Sequence, residues 1–121
     1  MNNRSSNGTY ANFLILKEVL EINFHPDITL NQTVLNQVNM EKKAFMLTHD
    51  PLPELYDISQ VENVVLDGSK AINLEVRKLA VYKADKEIEN IDLLKEMGQI
   101  DDAHYGVFDD KDSARAWLNQ E

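Results

Sequence analysis

The fold class this sequence predicts is α/β, with helices packed on a mixed, mostly parallel sheet behind an opening pair of strands. Three observations predict it. Residues 12–24 alternate apolar and polar in two pieces, Phe13-Leu-Ile-Leu16 and Val19-Leu-Glu-Ile-Asn-Phe24. Short apolar runs then alternate with capped helical stretches through the rest of the chain. Finally, a short apolar strand, Tyr105-Gly-Val-Phe108, runs into an amphipathic helix that holds the only tryptophan, Trp117.

Each element has its own signal. Residues 1–9 are rich in Asn, Ser and Gly and read as a disordered tail before a single domain over 10–121. Lys17-Glu18 divides the first apolar stretch, giving either a tight hairpin or one bulged strand. His25-Pro26-Asp27 ends it. Thr29 with Gln32 has the form of a capping box, and Leu30, Val34, Val38 and Phe45 carry a first helix to about Met46. Pro51 and Pro53 break that helix, and Glu54–Ile58 forms a strand. A polar loop over Ser59–Asn63 leads to a helix over about Val65–Val76. Lys78–Tyr82, apolar on consecutive positions, suits a central strand. Asp85 would cap a helix over Lys86–Met97, with Ile88, Ile91, Leu94 and Met97 as its stripe and Gly98 as a left-handed C-cap. Asp109 or Asp110 caps the last helix, where Ala114, Trp117 and Leu118 face inward.

Composition narrows the function. The 121 residues include no cysteine, so neither disulfides nor thiolate chemistry arise. The net charge is −9, and from Asp85 onward 11 acidic residues face 4 basic ones. Such a surface repels phosphate backbones and anionic headgroups, which argues against nucleic acid and membrane partners. It favours solubility or a basic protein partner. No apolar run reaches the ~20 residues of a membrane span. The polar start lacks the apolar core of a signal peptide, so the expected location is cytoplasmic.

Candidate chemistry is sparse. His25, His49 and His104 are far apart and in no metal-ligand spacing. The acids Asp101, Asp102, Asp109, Asp110 and Asp112 match a calcium loop only in part, and capping accounts for them. Four glycines leave none for a phosphate cradle. Asp57 stands at the carboxyl end of a central strand, where open α/β sheets place their sites. A receiver-type phospho-acceptor there would need an acidic pair after the first strand and a lysine after a later one; only Asp27 follows the first strands. The simpler reading is a turn closed by the Asp57 side chain on its own loop. Asp67-Gly68-Ser69 opens the second predicted helix, a favourable place for a phosphate on Ser69. No catalytic, cofactor-binding or metal-binding residue is nominated.

The element order together with Pro53-Glu-Leu-Tyr-Asp-Ile-Ser-Gln-Val61 and Tyr105-Gly-Val-Phe-Asp-Asp-Lys-Asp-Ser-Ala-Arg-Ala-Trp-Leu118 resembles the STAS domain, in particular its uncharacterised SpoIIAA-like branch. The resemblance covers about residues 12–119. It implies a four- to five-stranded sheet with about four helices, and a bacterial regulatory module that binds a protein rather than an enzyme. Classical members antagonise anti-sigma factors and are switched by phosphorylation of a serine in an Asp-Ser-Ser-Gly signature. Here that signature is absent; Asp67-Gly68-Ser69 is the nearest match, about two residues late and with Gly in place of the serine. The partner-binding or phospho-switch candidates are therefore Asp57, Ser59, Asp67, Gly68 and Ser69. The alternative expectation is a carrier of a small apolar ligand beneath Leu66, Ile72, Leu94 or Trp117. An outer strand of the opening pair, left exposed, would allow a homodimer.

Overall fold

The computed structural model describes residues 4–67, 74–89 and 91–120. Among them lie β1 (Arg4–Asn7), β2 (Ala11–Leu16), β3 (Val19–Phe24), β4 (Thr29–Leu30), α1 (Gln32–Phe45), β5 (Glu54–Asp57), β6 (Asn63–Val64), β7 (Leu79–Tyr82), α2 (Leu93–Met97), β8 (Tyr105–Phe108) and α3 (Lys111–Leu118). A mixed six-stranded sheet has the order β1-β2-β3-β5-β7-β8, and β4 and β6 form a separate pair. Strands β1, β2 and β3 run antiparallel to one another, while β3, β5, β7 and β8 are parallel. The sheet thus has six strands where four to five were expected, and three α-helices are seen among the described residues.

The extra strand is β1. Residues 4–7 have the composition of a tail, yet they pair with β2 in the register Arg4↔Ile15 to Asn7↔Asn12. An edge strand that exposes every side chain needs no apolar residue, so composition alone does not reveal it. Arg4 lies over the Phe45 ring at 4.5 Å, and Phe45 stacks on Phe13, which ties this edge to α1.

Between β2 and β3 the chain makes a tight hairpin, not a bulged strand. Lys17 and Glu18 both take positive φ, 52° and 63°, the geometry of a turn that matches the strand twist. Neither residue is at ease there. The double substitution Lys17→Asn with Glu18→Gly is expected to stabilise the chain by about 1–2 kcal/mol, read as a higher urea midpoint at unchanged slope.

Strand side chains alternate strictly between two layers. Leu20, Ile22, Phe24, Tyr56, Leu79 and Val81 face α1 and α2 in the main core. Val19, Leu55 and Ala80 face α3 through Ala114 and Leu118, with Tyr82, Phe108 and Trp117 packed beside them. Because the parallel strands advance in one direction, crossovers of one hand keep their connections on one face. Among the described residues only α3, which follows the last strand, covers the other.

Helix boundaries depart from the sequence pattern in three places. Thr29 pairs with Asn63 in the β4–β6 ladder, and α1 is capped instead by Asn31, whose side chain accepts the Val34 N–H at 2.9 Å. The helix expected over 86–97 is α-helical only over Leu93–Met97. Ile88, Ile91, Leu94 and Met97 recur every three residues, which drifts about 60° per step around an α-helix. Residues 86–89 and 91–92 are irregular, and all four side chains reach the core. Gly98 is not left-handed (φ −86°); Gln99 is, at 56°. Gly98 lets Leu74 pack close: a Cβ there would lie 2.7 Å from Leu74 Cδ1, which would have to shift. Of the helix expected over 65–76, residues 68–73 lie outside the described residues, and Val65–Asp67 and Leu74–Val76 on either side are irregular.

The start of α3 follows the expectation. Asp110 caps it, accepting the Ser113 N–H at 2.8 Å. At its far end the Lys78 ammonium donates to the Trp117 carbonyl at 2.7 Å, the favourable end of the helix for a cation. Among the described residues no helix is long and apolar enough to cross a membrane.

Candidate functional site

The parallel register sets Asn23 of β3 beside Asp57 of β5, both on the layer that faces α3. Glu21, two residues earlier on the same face of β3, is only 1% exposed although it is an acid. Lys111 and Arg115 stand one turn apart on α3, along the edge that overhangs β3. These residues meet. Arg115 grips Glu21 with both prongs, Nε to Oε2 at 2.7 Å and Nη2 to Oε1 at 3.0 Å. Lys111 donates to Asp57 Oδ2 at 2.8 Å and to Asn23 Oδ1 at 3.2 Å, and lies 3.8 Å from Glu21.

Asp57 is also held from its own loop. Its Oδ1 accepts the Ser59 N–H at 3.0 Å and the Ser59 hydroxyl at 2.6 Å. Partial burial works against the Asp57 charge, but the Lys111 and Ser59 hydrogen bonds outweigh it and hold the carboxyl below its ordinary range. Glu21 and Asp57 balance Lys111 and Arg115 in charge, and the exposed Asp112 lies 3.6 Å from Arg115. A lysine of the kind a receiver-type acceptor needs is present, as Lys111 after β8. The nearest acid on β3, Glu21, has both oxygens taken up by Arg115. Chemically, the arrangement locks the start of α3 to β3 and β5 and stiffens the first residues after β5.

The loop that follows is braced from both sides. Glu62 and Val65 donate backbone N–H groups to Ile28 and Leu30, each at 2.8 Å, and Lys86 reaches the Val61 carbonyl at 3.1 Å. Val61 and Leu66 are buried, while Val65 between them is 61% exposed. The result is a fixed loop that presents an apolar side chain to solvent.

Among the nominated residues, Asp57 and Ser59 are brought together. Asp67 is not with them: it lines a hollow beside Asn31 and Thr33 at the start of α1. Gly68 and Ser69 lie outside the described residues. Leu66 and Leu94 are core residues, Trp117 packs on Phe108 in the opposite layer, and Ile72 is outside the described residues, so the three described side chains do not line one space.

Sequence reasoning missed Glu21, Asn23, Lys111 and Arg115. Glu21 had a signal, a lone acid inside an apolar strand; so did Lys111 and Arg115, which flank the buried stripe of the last helix at a spacing of four. The three histidines do not converge. His25 bonds Asn12, while His49 and His104 share a groove of about 1010 Å³ at the other end of the parallel strands, each with Nδ1 engaged by an oxygen. Among the described residues no group of three His, Asp or Glu could hold a metal ion. The five aspartates of the calcium-like run serve as local partners, with Asp101 on His104, Asp102 on Lys95, Asp109 on Lys83, Asp110 on Ser113 and Asp112 near Arg115. Compared with models of known families, with curated proteins and with solved structures, the chain matches none significantly.

Proposed function

We propose that this chain is a non-enzymatic regulatory interaction module of the STAS type, SpoIIAA-like, that binds a protein partner through the Ser59–Asp67 loop. One observation carries the reading: a loop at the carboxyl end of a central parallel strand is braced by β4, by Lys86 and by the Asp57–Lys111 pair, and it holds Val65 out in solvent. A rigid presented loop loses little entropy on binding. The strand order, the segment around Asp57-Ile58 and the closing block that ends in Trp117-Leu118 add to the resemblance. The neutral, fully occupied Glu21–Arg115–Lys111–Asp57 network suits a scaffold better than a reaction centre. Ser69 as a phospho-switch belongs to the same proposal and rests on the sequence alone.

The test is a competition between variants. Full-length tagged chain, isolated from its own host, is expected to retain a defined protein that Val65→Asp loses by about tenfold or more, about 1.4 kcal/mol. Because Val65 is exposed, the substitution leaves folding within about 0.5 kcal/mol, and circular dichroism checks this. Equal retention by both chains, or no retained protein, contradicts the proposal.

A further inference from the structure

We propose that the groove between β6 and residues 86–89 takes a short basic segment of the partner, arginine or lysine interleaved with apolar residues. This rests on the loop as a recognition surface and names the chemistry of what the loop recognises. The groove has a volume of about 370 Å³ and is lined by residues 61–64 and 86–89. Its apolar part comes from Val61, which is buried, and from Val64 and Ile88, which are half-buried. Glu62, Glu87 and Glu89 line it as exposed acids.

Charge identifies the occupant. Against these three acids the groove has one lysine, Lys86, and its ammonium is engaged on the Val61 carbonyl at 3.1 Å. Among the described residues none of the three glutamates is ion-paired. The acidic run from Asp101 to Asp112 differs, since each of its aspartates has a partner within the chain. The larger groove at the other end of the parallel strands differs too, because Arg77, Lys78 and two histidines there oppose Glu18 and Asp50. Unanswered carboxylates beside apolar side chains attract a basic segment and repel an acidic one, a second copy of this −9 chain included. Arginine or lysine suits both parts, with its methylene stem along Val64 and Ile88 and its cation among the glutamates. The polar groups of the groove are exposed acids, not buried groups converging on one point, so it suits a segment rather than an enclosed small molecule.

The experiment is fluorescence anisotropy of a labelled peptide of alternating arginine and leucine, titrated with the full, purified chain. The wild type is expected to bind it saturably, one to one, and more weakly as salt rises from about 0.05 M to about 0.5 M. The same peptide with glutamate in place of arginine is expected not to bind. Glu87→Gln with Glu89→Gln is expected to raise the dissociation constant about tenfold or more. Glu18→Gln with Glu96→Gln removes the same charge elsewhere and is expected to stay within about twofold of wild type. All four positions are exposed, so circular dichroism of both double variants should match wild type. Absent or non-saturating binding overturns the proposal. So does equal weakening by the two double variants, which would mean attraction to net charge alone. The assay needs no host protein, so it decides the groove separately from the Val65 comparison. If Val65→Asp loses the host partner while Glu87→Gln with Glu89→Gln binds the peptide like wild type, the loop reading stands and the groove proposal falls.

Discussion

Replacing Arg115 with methionine is expected to lower the unfolding free energy by about 3 kcal/mol. Glu21 is the reason. Its side chain is 2% exposed, and both its oxygens are served by the Arg115 fork. Without that fork a buried carboxylate keeps only the Lys111 ammonium, 3.8 Å away, which softens the loss without removing it. Arg115→Lys should recover only part, because an ammonium cannot serve both oxygens at once. The double variant Glu21→Met with Arg115→Met is expected to return to within about 1 kcal/mol of wild type, since an apolar pair avoids the desolvation that the ion pair must offset. Urea unfolding of the four proteins at one pH measures all of this. A single Arg115→Met variant as stable as wild type would show that the network does not anchor α3.

The second large effect is a dependence of stability on pH. Glu54, 4% exposed at the start of β5, meets Lys42 of α1 at 2.9 Å, and the same ammonium donates to the Leu74 carbonyl. Among the described residues no donor reaches the other Glu54 oxygen. Burial outweighs the attraction of Lys42 and pushes the carboxyl up to about 7. Folding therefore favours the protonated acid. The contribution is complete below the ordinary value of 4.5, falls as pH rises through about 7, and is flat beyond. The loss across that window is on the order of 3 kcal/mol. Glu54→Gln has no proton to release, so its stability should lack this slope between about pH 5 and pH 7.5. The comparison needs unfolding curves at several pH values for the two chains. Parallel profiles would mean that Glu54 is ionised throughout and that Lys42 fully compensates its burial.

How far the chain could be read from residues alone varies with the range of the interaction. Local signals carried well. Period-two alternation placed β2 and β3, consecutive apolar residues placed β7, and Asp110 with Ala114 and Leu118 placed α3. The Asp57–Ser59 turn was legible for the same reason: its partners are two residues apart. Elements that depend on distant partners were not. The pairing of β1 uses backbone groups that any polar sequence has. The stripe Ile88, Ile91, Leu94 and Met97 suited a helix in outline, yet its step of three could be buried only by unwinding the first half. Lys111 and Asp57 are separated by 54 residues, and only the return of α3 across the sheet joins them.

The proposed recognition surface is the Ser59–Asp67 loop, held by the scaffold. A photo-crosslinking residue at position 65, compared with one at Lys17 on the β2–β3 hairpin tip, tests it most directly in living host cells. The expected result is a discrete adduct with one other protein from position 65 and none from position 17. No adduct at 65, the same adducts from both positions, or an adduct only with the chain itself would contradict it.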